Sequence, residues 1–349
     1  MNQHFGKKIT HALATCCALL AALPAQQLEP GAAPPAFALS EMVRGAPVAK
    51  LAPGKVHLIE FWGSEAGTGF DRAQEFHALQ KKHGDKLVVT GVVGPDEESY
   101  DHATVAEYYA EHGAHLQFTI GFDGDGALHK AWLPAVGAEP PHVFLIDAAG
   151  KLAWSGGLGF LPIALPVVMK GDVDYAALKA DCDAAEKKFM RLALVSALKP
   201  KATITELDEL VKSWPALEPL AVVVAYNGLV DSDEPALALP LQGRVAKVFY
   251  DNGDADSLNG LAWSIVDPDV EAETRNLEVA EKAAKQAVEL TKGEDGAVLD
   301  TLARVYFWKK DFAQAVKVQK QAVEKALDDE EREMYAAVLK EYEALAAGK

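Results

Sequence analysis

Apolar positions along the chain follow two regimes that change near residue 166. From residue 37 to about 159 they come in short dense runs. Val56–Trp62 and Leu87–Val93 are rich in β-branched and aromatic side chains, the pattern of strands buried on both faces. Residues 70–83, between these runs, carry apolar side chains at helical spacing, so the three segments predict a β-α-β unit. A second set follows, with a helix over 103–112, a short strand over 117–121, and strands over 143–146 and 152–155. The last two are separated by Asp147-Ala148-Ala149-Gly150, a hairpin spacing in which Gly150 suits a positive φ.

Beyond residue 166 the strand pattern stops. Segments rich in Ala, Leu, Lys and Glu, at 175–198, 205–212, 237–249 and from 258 onwards, have the composition and period of helices. Within them Ala280-x6-Ala287-Val288-Glu289 recurs as Ala315-x6-Ala322-Val323-Glu324, an offset of about 35 residues that belongs to helical repeat arrays. The expected class is an α/β domain followed by an all-α repeat domain. A length of 349 residues agrees with about two domains.

Composition narrows the partners. With 50% hydrophobic and 24% charged residues the chain is globular, and its net charge of −17, from 51 acids against 34 bases, repels nucleic acid and anionic membrane. Residues 1–25 read as a secretory signal: Lys7 and Lys8 are its basic start, 9–23 its apolar stretch, and Ala22-Leu23-Pro24-Ala25 its small-residue exit. The apolar stretch is too short for a membrane span. Leu13-Ala14-Thr15-Cys16 weakly matches a lipoprotein box, which makes lipid anchoring at Cys16 the alternative to simple cleavage. Residues 26–36 are a Pro/Ala/Gly/Gln linker, and the expected location is periplasmic or extracellular. Of Cys16, Cys17 and Cys182, only Cys182 survives cleavage after Ala25. A lone thiol forms no internal disulfide, and the flanking Asp181 and Asp183 disfavour its thiolate.

The stretch Glu60-Phe61-Trp62-Gly63-Ser64-Glu65-Ala66-Gly67-Thr68-Gly69 lies where a predicted strand passes into a helix. With Ala33-Pro34-Pro35-Ala36-Phe37 before it, Lys81-Lys82-His83-Gly84-Asp85-Lys86 after it, and Pro141-His142-Val143-Phe144-Leu145-Ile146-Asp147 further on, it resembles a thioredoxin-fold protein of the TlpA/ResA type over about 125 residues. The resemblance implies a thioredoxin fold over 37–165, a cis-proline at Pro141 and a buried acid at Glu60. It also places the family's two motif cysteines at Ala66 and Gly69, so both sulfurs are absent.

That absence decides the expected chemistry. Dithiol exchange needs an attacking thiolate and a second thiol to resolve the mixed disulfide, and peroxide reduction needs an ionised cysteine as well. Ala66 and Gly69 supply neither. Ser64 and Thr68 suit helix N-caps. What remains is a groove, in which a helix N-terminus offers unpaired N–H groups and a cis-proline presents a strand edge to a peptide. The expected binding residues are Trp62, Glu65, Gly67, Thr68, Pro140, Pro141 and His142. No catalytic residue and no cofactor is assigned.

Beyond His11, every histidine lies between His57 and His142. His142 with Glu65 or His77 offers imidazole and carboxylate ligands that suit copper, but no spacing is diagnostic, so these histidines are read as solvated and no metal is assigned. In the helical half, Leu302-Ala303-x2-Tyr306, Phe312-x2-Ala315 and Ala322 resemble a tetratricopeptide unit, with 258–287 as the preceding one. That places repeats over 251–349 and a helical region, with a degenerate third repeat, over 166–250. Tyr306, Trp308, Lys309 and Lys310 are candidate contacts of a concave peptide-binding surface. The expected function is an exported, redox-inactive protein that binds proteins or peptides. The alternatives are a thiol-disulfide oxidoreductase using Cys182 or a partner's thiol, and copper binding or delivery.

Overall fold

The computed structural model describes residues 27–62, 66–94, 102–113, 116–268 and 275–348. Two compact units divide the chain, one up to Ala180 and one from Asp181.

The first unit is built on a sheet. Its elements in chain order are β1 (Glu41–Arg44), β2 (Val56–Trp62), α1 (Ala66–His83), β3 (Leu87–Val93), α2 (His102–His112), β4 (Thr119–Phe122), α3 (Ala127–Val136), β5 (His142–Ile146), β6 (Leu152–Gly156) and α4 (Leu161–Lys170). The strands lie in the order β1-β4-β3-β2-β5-β6. β2, β3 and β4 are parallel, as their helical crossovers α1 and α2 require, while β1, β5 and β6 pair antiparallel. Every residue of β2 is buried because it is central in the sheet and covered on both faces, which explains its unbroken apolar run apart from His57 and Glu60.

One core cluster gathers Ile59, Phe61, Val92, Trp132, Phe144 and Phe37. The Trp132 ring meets Phe144 and Phe37 edge-on, with centroids 5.2 and 5.7 Å away. Complete burial of Phe61 and Phe144 contributes about 1.5–3 kcal/mol each. Helix α4, which carries Pro162 and Pro166, packs on β5 and β6. It therefore belongs with the sheet, and the division between units falls inside the long helix that follows.

That helix is α5 (Tyr175–Leu198), followed by α6 (Thr203–Ser213), α7 (Glu218–Val230), α8 (Gln242–Asp251), α9 (Ala255–Val266), α10 (Leu277–Leu290), α11 (Gly296–Trp308), α12 (Phe312–Glu324) and α13 (Asp329–Ala347). The second unit is largely helical. Its helix starts are written locally: Asp254, Asn276, Asp295, Asp311 and Asp328 each accept a backbone N–H from the first turn, a cap that contributes about 1 kcal/mol. α9 packs on α10, α11 on α12, and α12 on α13. Ala280, Ala283, Ala284 and Ala287 on α10, with Ala315 and Ala322 on α12, are fully buried, and their small side chains permit the close approach. At Gly296 a Cβ would stand 3.0 Å from the Lys325 carbonyl oxygen, so α11 starts where only hydrogen fits comfortably. No helix among the described residues is long and apolar enough to cross a membrane.

Candidate functional site

The carboxyl end of β2 is where the motif positions converge. Alternation along the strand sends Glu60 and Trp62 to one face of the sheet and Phe61 to the other. On the first face Trp62 lies over Gly91, where a Cβ would come 2.5 Å from Cζ2, and it stacks on Tyr109 of α2 with centroids 6.1 Å apart. The indole Nε1–H of Trp62 donates to Oε2 of Glu60. Glu60 itself is wholly buried, paired across the sheet with Gly91 of β3 and Val143 of β5. Its side chain accepts from an indole donor in mid-sheet, with no access to bulk water.

On the other face Phe61 meets the His129 ring edge-on at 4.9 Å. Asp123, which follows β4, organises this histidine. Its Oδ1 accepts from the Leu128 N–H at 3.1 Å and its Oδ2 from the His129 N–H at 2.8 Å, capping the start of α3. The same Oδ2 lies 2.8 Å from His129 Nδ1, and His129 Nε2 lies 3.4 Å from the Trp62 carbonyl oxygen. A Cβ at Gly94 would come 2.7 Å from Nε2, so the residue after β3 must also be small. The ends of all three parallel strands thus close around one imidazole. His129 stood alone in the sequence; the signal that announces it is Asp123 placed just before a helix start.

Ala66, Gly67, Thr68 and Gly69 form the first turn of α1, which starts four residues before the expected helix and places Thr68 inside it, not at an N-cap. Glu65 and Ser64 lie outside the described residues. Pro140–Pro141 is a cis peptide, and the next residue, His142, opens β5 in register with Phe61. Trp62, the first turn of α1 and the Pro140-Pro141-His142 segment are therefore brought to one end of the sheet. The His142 ring lies 5.1 Å from Phe144, its Nε2 is buried without a hydrogen-bond partner among the described residues, and burial holds its pKa down at about 4.

Three histidines correct the solvated reading. His57 is 3% exposed with Nε2 2.9 Å from the Ala52 carbonyl oxygen, and burial lowers its pKa; His129 and His142 are packed as described. His77 Nδ1 accepts the Gln117 N–H at 3.1 Å. No cluster of three metal-ligating side chains occurs among the described residues. Cys182 is buried on α5, and burial first, then Asp181, Asp183 and Glu186, push its thiol up to about 12.

In the helical unit, Trp308 donates its Nε1–H to the Val266 carbonyl at 2.8 Å beneath the Arg275 guanidinium, and Lys309 pairs with Glu281. These two expected contact residues are tied into the helix packing. Tyr306 is half-buried and Lys310 is exposed.

The first unit has a thioredoxin-like fold. Its parallel β2-α1-β3 unit, antiparallel β5–β6 pair and cis-proline before β5 are the observations that carry this assignment. No protein-family profile matches the chain. Protein FixW of Rhizobium leguminosarum is 28% identical over 156 residues, covering 42% of this chain and 69% of that protein. Among solved structures, a thioredoxin-family thiol:disulfide interchange protein from Chlorobium tepidum TLS is 17% identical with a TM-score of 0.31, covering 37% of this chain and 86% of its own. StoA from Bacillus subtilis is 19% identical with a TM-score of 0.30, covering 36% and 89%.

Proposed function

We propose that this is an exported thioredoxin-like protein that binds a protein or peptide partner without dithiol exchange. The observation that carries the reading is a thioredoxin-like groove whose motif positions are Ala66 and Gly69. Its helix start, cis-proline and buried acid are retained, but no residue there can form a thiolate. Cys182, the cysteine of the described chain, is buried on α5 with a raised pKa, a poor nucleophile for exchange. An extended partner segment would meet the Pro140 and Pro141 carbonyls just before β5, with the first-turn N–H groups of α1 as further polar contacts. The helical unit, read as tetratricopeptide-like repeats, supplies a second binding surface.

The test compares capture of partners from the native envelope fraction by the protein and by its Pro141→Ala and Gly67→Arg variants. The reading expects a specific partner that both variants lose; equal capture by all three overturns it.

A further inference from the structure

The opposite end of the same sheet carries a concentration of positive charge that the groove does not explain. Val56 of β2 pairs with Leu87 of β3, so the residues just before them, Lys55 and Lys86, are neighbours at the amino edge of the parallel strands. His57 pairs with Ile146, and the β5–β6 turn closes beside them through Gly54 N–H donating to the Ala148 carbonyl at 3.1 Å. That turn brings Lys151 to the same edge. Lys81 and Lys82, in the last turn of α1, lead into it.

Among the described residues none of these five lysines has an ion-pair partner. Asp147 beside Lys151 is buried and engaged by Ala149 N–H, Lys151 N–H and the Tyr175 hydroxyl; Asp85 is exposed beside Lys86, and Glu29 and Asp174 are exposed around Tyr175, so the lysines outnumber the acids on the Lys55–Lys86 side of the edge. Lysines at a helix carboxyl end complement its dipole, which accounts for Lys81 and Lys82. It does not account for Lys55, Lys86 and Lys151, which come from three different strand ends. Lys151 lies over the Tyr175 ring at 5.9 Å, and in a chain of net charge −17 these lysines, without ion-pair partners among the described residues, are a local reversal of sign.

We infer that this edge is a docking surface for an acidic polypeptide segment. Charges are screened over about 8 Å at physiological salt. A short segment on the edge therefore feels the lysines, whereas an extended anionic membrane also meets the acidic remainder of the chain. The apolar surroundings agree: among the described residues of the first unit, the large apolar side chain that is exposed is Val167 on α4, away from this edge. The surface lies about 20 Å from the groove, the length of β2, and is independent of it.

The test is fluorescence anisotropy of a labelled peptide of alternating Glu and Gly with the full chain, using the Gln/Gly peptide as control and phosphatidylglycerol vesicles as the membrane arm. Binding of the Glu peptide should weaken about tenfold between 50 and 300 mM salt, and about tenfold in the Lys55→Gln/Lys86→Gln/Lys151→Gln variant. Pro141→Ala should bind it normally, which separates this surface from the groove. Lys81→Glu/Lys82→Glu, at an exposed helix end, provides a second weakened variant if the first folds poorly. Equal binding by the lysine variants, equal binding of the Gln peptide, no binding of the Glu peptide, or binding to vesicles in its place would each overturn the inference.

Discussion

Gly91 of β3 lies under the indole of Trp62, so close that a Cβ would stand 2.5 Å from Cζ2 and 2.7 Å from Cη2. The indole reaches Glu60 only because nothing occupies that space. Gly91→Ala should therefore displace Trp62 and destabilise the protein by about 2–3 kcal/mol, read as a fall in the denaturant midpoint with unchanged slope. An unchanged midpoint would mean that the indole sits elsewhere.

The Trp62 donor is the next element to remove. Trp62→Phe keeps most of the apolar contact with Tyr109 but takes a donor from the buried Glu60 side chain. A loss of about 1–3 kcal/mol is expected, and the Trp62→Phe/Glu60→Gln double change should cost less than the sum of its two single changes, since both act on the same hydrogen bond. A double-mutant cycle by chemical denaturation measures the coupling.

Much of this site was legible in the chain. The apolar runs Val56–Trp62 and Leu87–Val93 coincide with the observed strands, because strands buried on both faces need unbroken apolar runs. α5 was marked equally well by its alanines and leucines. α1 begins four residues before the apolar period does, since Gly67 and Gly69 are poor helix formers held there by the fold. β1, a polar edge strand, and α3 and α4, each with an internal proline, carry no clear period and so give no sequence signal. The stack of Trp62 on Tyr109 and the placing of His129 against Phe61 and the Trp62 carbonyl depend on strand order, which joins residues distant in sequence and leaves no local signal.

Asp123 performs two tasks with one carboxylate, capping α3 and seating His129. Asp123→Ala should cost about 2 kcal/mol. Asp123→Asn should cost less, because it keeps a side-chain acceptor for the cap. Thermal and denaturant melts rank the two, and nitrogen-detected NMR of the His129 ring should show its tautomer released in the alanine variant.

His142 should make stability depend on pH. Its native imidazole stays neutral down to about 4, whereas the unfolded one protonates below its ordinary value near 6.5. Between these limits the unfolded state binds more protons, so stability falls as pH drops from about 6.5 to about 4, by up to about 3 kcal/mol from this group. His142→Gln should remove that component, so that the stability difference between wild type and variant varies across this window and is flat above it. Parallel curves would show that His142 titrates normally. His57, also lowered by burial, acts in the same direction and is unchanged in the comparison.

We propose a thioredoxin-like scaffold without dithiol exchange, and reduction of insulin disulfides measures this most directly. With dithiothreitol as reductant, the protein and its Cys182→Ser variant should both leave the rate at that of reductant alone, and native Cys182 should resist thiol-reactive dye until the chain unfolds. Accelerated insulin reduction by the wild-type protein, above all one abolished in Cys182→Ser, would contradict the account.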